Sequence, residues 1–163
     1  MNMLTRSLSL AGLLALAAAP ALAGVTVTFS HPENYADVAF NAVDRDNILK
    51  QLSEHFVALG AKLPADEDLT VEVLDVDLAG RLVPSRRTAQ DIRVLHGGAD
   101  WPRMQLRYTL ASHGQVLRSG ESDMADMSYM DKLNRYDSGD PVRYEKAMID
   151  DWFKSTILAK KPS

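Results

Sequence analysis

Two carboxylates in the stretch LDVDLAG, Asp75 and Asp77, sit two residues apart at the end of an apolar run. On a strand such a pair points to one side, about 6.5–7 Å apart along the chain. Hard oxygen ligands of this kind suit Mg²⁺ or Ca²⁺ if Asp91 or Asp100 joins them. With a distant histidine they suit hydrolysis by acid–base chemistry. The alternating oxygen ligands and glycine turn of a calcium loop are absent from the sequence. The favoured reading is that both aspartates close a strand, bonded to loop amides or to Arg86, Arg87 or Arg93.

Three further groups of residues carry chemistry. Met124, Met127 and Met130 recur at a spacing of three in MADMSYM. Thioethers are soft, neutral ligands for Cu(I) or Ag(I), so a copper-binding protein is an alternative, set against methionines that fill gaps beneath a loop. Seven arginines fall between Arg81 and Arg118 (81, 86, 87, 93, 103, 107 and 118), faced in that stretch only by Asp91 and Asp100. The whole chain carries −4, so the rest of it is markedly acidic. Guanidinium groups grip carboxylate and phosphate through two parallel hydrogen bonds. Arg81, Arg86, Arg87, Arg93, Arg103 and Arg107, with Trp101 beside them, are therefore the expected face for an anionic partner. That partner would be a lipid headgroup, a cell-wall polymer or an acidic protein patch; net charge and compartment disfavour nucleic acid. Trp101, next to two glycines and Arg103, either stacks on a ring or closes the edge of the core, and the second is favoured.

His31, His55, His96 and His113 form neither an HExxH pair nor any close pair, and no serine lies in a GxSxG elbow. A non-catalytic module is expected on that basis, with no cofactor. A hydrolase built on Asp75 and Asp77 is the remaining alternative.

The elements that must position these groups follow from periodicity. VTVTFS (25–30) alternates as a strand does. Ile48, Leu49, Leu52, Phe56 and Leu59 form one face of a helix near 44–60, with Asp44 as its cap and Gly60 as its stop. LTVEVLDVDLA (69–79) is strand-like, with Val71, Val73, Asp75 and Asp77 read onto one face. GRLVPSRRTAQ reads as a loop and DIRVL as a short strand. MQLRYTLA (104–111) and VLRSGES pair through the tight turn SHGQ. Asp140-Pro141 opens a helix near 141–158 with a stripe of Tyr144, Met148 and Trp152. The order predicts a two-layer α+β fold, an α/β domain in the broad sense. Its mainly antiparallel sheet of about five strands carries both helices on one face. Parallel pairing is expected only for the strands that flank the first helix.

The N-terminus predicts the compartment. Arg6, an apolar run of about 13 residues and Ala-Leu-Ala at 21–23 have the form of a secretory signal peptide. The run is too short to cross about 30 Å of hydrocarbon. Residues 1–23 are thus the expected signal peptide, and residues 24–163 a single periplasmic domain without a transmembrane segment. The chain contains no cysteine, so neither disulfides nor thiol chemistry contribute.

A strand, NYADV, a helix, DVDLAG, DIRVL, ADWPRM, GQVLRSGE and a closing YEKAMIDDWF together resemble the family called domain of unknown function 3016. The resemblance implies an exported bacterial protein of the cell envelope and assigns no catalytic residue. The order of elements is also similar to small envelope domains that assist assembly complexes.

Overall fold

Alternating valine and threonine form β1 (Val25–Phe29), which half-buries Val25, Val27 and Phe29 and turns Thr26 and Thr28 to solvent. The structure, a computed structural model, describes residues 24–38, 41–85 and 91–159. The expected signal peptide, Arg86 and Arg87 lie outside those residues.

Helix α1 (Ala42–Leu59) buries Leu49, Leu52, Phe56 and Leu59, the stripe that its spacing predicts. Its cap is Asn41 rather than Asp44: the Asn41 side chain accepts the Asp44 N–H at 2.8 Å. The cap thus stands three residues before the amide it satisfies, as such caps do. The chain then turns through residues 60–62 into β2 (Glu67–Asp77), which pairs parallel to β1, the arrangement that a helical crossover allows.

β2 holds the main departure from the period-two reading. Its register with β5 (Arg103–Ser112) slips between Val73 and Asp75, leaving Leu74 as an extra residue. Such a bulge reverses the phase of everything beyond it. Val76 therefore joins Val71 and Val73 on the buried face, opposite Met104, while Asp75 and Asp77 move to the other face, opposite Gln105 and Arg103. The sequence reading placed Asp75 and Asp77 with Val71 and Val73; the bulge separates them. Both apolar halves of the strand are buried as a result.

GRLVPSRRTAQ is not wholly a loop. Arg81–Pro84 forms β3, which pairs antiparallel with β4 (Asp91–Val94) as a separate two-stranded ribbon. Among the described residues the main sheet therefore has four strands, in the order β1-β2-β5-β6, with β6 at Gln115–Ala125. The β5–β6 turn is the expected one: His113 and Gly114 both have positive φ, 50° and 79°, as a tight two-residue hairpin requires.

Helix α2 (Arg143–Trp152) is preceded by Asp140, whose carboxylate accepts the Val142 N–H at 2.9 Å and the Lys146 ammonium at 2.6 Å. It runs on as a wider turn over residues 153–157, closed by Leu158 N–H to Phe153 C=O at 3.0 Å. Both helices cover the same side of the sheet. Trp152 is the keystone, edge-on to Phe56 of α1 at 6.0 Å and to Tyr108 of β5 at 5.6 Å. Aromatic pairs in that geometry add about 0.5–1.5 kcal/mol beyond the area they bury. The other face of the sheet is polar and uncovered by any described element. There Arg107 lies between Glu72 (2.7 Å) and Glu121 (2.9 Å). No described helix is long and apolar enough to cross a membrane.

Candidate functional site: a groove between the edge strand and the last helix

The residues singled out from the sequence fall in four places. Asp75 and Asp77 sit at the junction where β2 leaves the sheet. Asp75 accepts the Ala36 N–H at 2.9 Å, so it anchors the segment after β1. Asp77 bridges through its backbone to Asp37, and its carboxyl is pushed above the usual range by burial and by the neighbouring Asp37 charge. Arg93 closes the junction. It donates to both Asp37 oxygens, at 2.9 and 3.3 Å, and to the carbonyls of Ala79 and Gly80 at 3.4 and 3.3 Å.

Beneath them lies a residue that sequence reasoning missed. Glu145 of α2 is 1% exposed, and its Oε1 accepts the Ala79 N–H at 2.7 Å. Its Oε2 is buried without a partner. Burial raises this carboxyl to about 7, against the opposing pull of the Ala79 N–H and Arg93. Gly80, at φ 83°, completes the turn; a Cβ there would sit 2.5 Å from the Val94 carbonyl oxygen, so the backbone approach requires glycine. The adjoining loop is tied down by Asp100, which accepts the His96 N–H at 2.7 Å and the Tyr129 hydroxyl at 2.9 Å. Burial pushes the Asp100 carboxyl up, yet these hydrogen bonds together outweigh it and the net direction is down.

The junction is thus a hydrogen-bonded latch, in which Arg93 pairs with Asp37 while Asp75 and Glu145 hold backbone N–H groups. Among the described residues no three of His, Asp and Glu are arranged to hold a metal ion. The described histidines lie beside other carboxylates than Asp75 and Asp77: His31 by Glu33, His55 by Asp150, His96 by Asp100 and His113 by Asp66.

The methionines separate. Met124 faces the core opposite Met104, whereas Met127 and Met130 are 68% and 49% exposed. Met127 and Met130 face outward on either side of the buried Tyr129, while the Met124 side chain belongs to the core. The arginines are dispersed as well. Arg93 serves the latch and Arg107 the open sheet face. Arg118 donates to the carbonyls of Thr156 and Ala159. Arg103 stacks 4.8 Å from the centre of the Trp101 ring, and Trp101 packs against Ala79, Tyr129 and Tyr144 at the core edge, the placement favoured from the sequence. Arg81 is exposed.

A second cluster missed by sequence reading joins the two helices. His55 Nε2 lies 3.1 Å from Asp150 Oδ1, and the Tyr136 hydroxyl donates to Asp150 Oδ2 at 2.5 Å. Arg135 also donates to that oxygen. Burial pushes His55 below its ordinary value despite the Asp150 charge. The cluster pins the segment after β6 onto α2.

Where that segment crosses α2 the surface opens. A groove of about 510 Å³ is lined by Asp123, Met124, Asp126, Lys132, Met148, Asp151, Trp152 and Lys154, among others. Beyond Lys132 a smaller cleft of about 190 Å³ continues past Asn134, Arg135 and Tyr144. Lys132 separates the two, 2.9 Å from Asp126 and 3.5 Å from Asp151. The floor of the larger groove is apolar, made of Met124, Met148 and Trp152. One wall is the outer edge of β6, and the other is α2. Trp152 sets the spacing of the walls by donating its indole N–H to Ser122 Oγ at 3.0 Å. Of the candidate site residues named from the sequence only Met124 lines this groove; Met148 and Trp152 come from the expected core stripe of the last helix. The arrangement can hold an apolar side chain flanked by backbone hydrogen-bonding groups, with charges of both signs at the rim.

No curated protein and no solved structure matches the chain. The model of the family described as protein of unknown function (DUF3016) matches residues 23–155, and the chain belongs to that family.

Proposed function

We propose that the protein is an exported, non-catalytic binding module of the bacterial cell envelope, and that its ligand site is the groove between β6 and α2. The observation that carries this reading is the groove itself, an apolar floor of Met124, Met148 and Trp152 beside the edge of a strand. Helix-and-strand grooves suit polypeptide ligands, because the strand edge supplies backbone hydrogen bonds and the floor takes side chains. Export is supported by the leader-like residues 1–23. The anion-binding face has less support, since Arg93 and Arg107 direct their donors to Asp37, Glu72 and Glu121. The soft-metal alternative is weakened by the burial of Met124 away from Met127 and Met130.

The test uses protein purified from its own host. Its N-terminus should begin at or near Gly24, and a displayed library of unbiased peptides should yield binders. Those binders should shift the backbone amide resonances of residues 122–126 and 148–155 while leaving Thr26 and Thr70, on the open face, unmoved. Binders that act on the open face, or enrichment no better than on unfolded chain, sink the groove as the site. A protein retaining Met1 sinks the export reading.

A further inference from the structure

The groove wall formed by β6 carries more information than its shape. β6 is the last strand of the main sheet, and among the described residues only β5 pairs with it. Alternate residues of this 11-residue strand therefore direct N–H and C=O groups to an outer edge that no described strand pairs. Proteins commonly blunt such an edge with lysine, proline or a bulge. β6 contains neither lysine nor proline, and its one irregularity lies at the hairpin end, opposite Leu110 and Ala111. From Arg118 to Ala125 the pairing is regular. Ser119, Gly120, Ser122 and Ala125 keep this stretch uncrowded.

The side chains of that stretch divide by face. Arg118, Gly120, Ser122 and Met124 stand opposite Leu110, Tyr108, Leu106 and Met104, all buried, and so point toward the helices. Ser119, Glu121, Asp123 and Ala125 alternate to the open side and are exposed, with Asp123 and Ala125 also at the rim of the groove. A strand laid against this edge would alternate in the same way. Residues on one side would meet Met124, Met148 and Trp152 in the groove. Those on the other would meet Glu121 and Asp123, where opposite charge is favoured across strands and like charge opposed.

We infer that β6 takes up an extended segment of a partner protein in which apolar and basic residues alternate, adding it as a fifth strand of the main sheet. This rests on the groove reading above and names the partner chemistry of the same site. A second copy of β6 is a poor occupant. Pairing centred on residues 121 to 123, beside the groove, sets Glu121 and Asp123 against the same carboxylates of the other copy.

The test uses an acetylated octapeptide of alternating Lys and Val, a block peptide of the same composition, and a Glu–Val counterpart. The Lys–Val peptide should slow hydrogen exchange at alternate amides of residues 118–125 and bind more weakly as salt rises. In the Glu121→Lys, Asp123→Lys protein its affinity should fall by about tenfold or more, and the Glu–Val peptide should gain. Glu121 contributes a solvent-facing ion pair, so the variant is expected to fold, and its unchanged circular dichroism and melting point are measured alongside. Two further Lys–Val peptides carry N-methyl groups on alternate residues in opposite phase. One should bind normally and the other should not, because only one edge of an added strand donates to β6. Equal binding by both N-methylated peptides overturns strand addition, and equal binding by the block peptide overturns the alternation. If library binders still map to the groove while the Lys–Val peptide does not bind, this inference falls and the groove stands. If nothing maps to the groove, both fall.

Discussion

The latch around Glu145 and the groove beside β6 lie toward opposite ends of α2, and they are opposites in character. The latch holds a carboxyl that burial has moved far from its ordinary ionisation, with Glu145 Oε1 on the Ala79 N–H and the Arg93 guanidinium on Asp37, Ala79 and Gly80. The groove holds no such group, but it leaves a strand edge facing water above a largely buried apolar floor. A shifted carboxyl records what burial costs a charge, and either a structural latch or a binding site can incur that cost. Unspent hydrogen-bonding groups that a ligand can reach distinguish the two: Glu145 Oε2 lacks a partner but is sealed in the interior, whereas the edge of β6 is open. Stability should therefore be sensitive at the latch, and binding at the groove.

The largest expected effect is loss of the latch. Glu145→Ala leaves the Ala79 N–H buried without an acceptor and opens a void beneath the turn. The expected cost is about 3–4 kcal/mol in urea unfolding, combining an unsatisfied donor with a cavity. A cost below about 1 kcal/mol would mean that the turn holds without Glu145, and the contrast between the two regions would collapse.

A somewhat smaller effect is the pH dependence of the same residue. Glu145 titrates near 7 in the folded chain, against 4.5 ordinarily. A raised carboxyl binds its proton more tightly when folded, so its contribution to stability is complete below about 4.5 and is lost as pH rises to about 7. The loss is on the order of 2–3 kcal/mol. His55 acts in the opposite sense. Burial lowers it, so its contribution is present above its ordinary value of 6.5 and is lost as pH falls through its folded value. The difference between wild type and Glu145→Gln isolates the carboxyl, since the amide does not titrate. Parallel stability curves for the two proteins between pH 4.5 and 7 would remove Glu145 as the titrating group.

Arg93→Met comes next. It releases the Asp37 carboxylate and the Ala79 and Gly80 carbonyls, while the thioether keeps most of the stem packing. Asp37 is partly exposed and can recruit water, which limits the expected cost to about 1–2 kcal/mol. Asp37→Asn in the Arg93→Met background should then add little, because the two residues act through one another. Full additivity in that double-mutant cycle would show that Arg93 works mainly through the carbonyls.

Much of this fold is legible in the sequence, for reasons that also explain what is not. Leu49, Leu52, Phe56 and Leu59 repeat at helical spacing, and Ser-His-Gly-Gln carries its turn chemistry locally, so both elements follow from neighbours alone. The bulge at Leu74 does not. VEVLDVD supports two phases equally well until β5 arrives with Met104 and Leu106 to bury one of them. β3 is four residues long and contains an arginine and a proline, too little alternation to separate it from a loop. The latch and the groove are less legible still. Ala79 meets Glu145 across 66 positions and His55 meets Asp150 across 95. Met148 and Trp152 read as core, and they also form a floor only because β6 ends the sheet there. The arginines were visible as a cluster in sequence, but guanidinium groups spread along strands face different ways, and each described one found its own partner or surface.

The smallest expected effect is the most discriminating. Lys132 stands between the two clefts, half exposed, bridging Asp126 and Asp151. Its ammonium is held above its ordinary range first by the hydrogen bond to Asp126. Surface pairs of this kind contribute about 0–1 kcal/mol, because water screens the attraction and ordering the long side chain opposes it. Lys132→Ala should therefore leave the melting point nearly unchanged. Asp126 keeps the Ser128 N–H at 3.1 Å, so the turn after β6 retains its local support. What changes is the groove, which would join its smaller neighbour and lose a cation at its centre. A segment with basic side chains should then bind somewhat more tightly, because its lysines over Glu121 and Asp123 no longer feel a nearby cation. The measurement is titration of the Lys–Val peptide into wild type and Lys132→Ala, with thermal unfolding of both. A modest gain in affinity at constant stability separates binding from folding at this surface. A drop in stability with no change in affinity would place Lys132 with the latch, as one more strut of the fold.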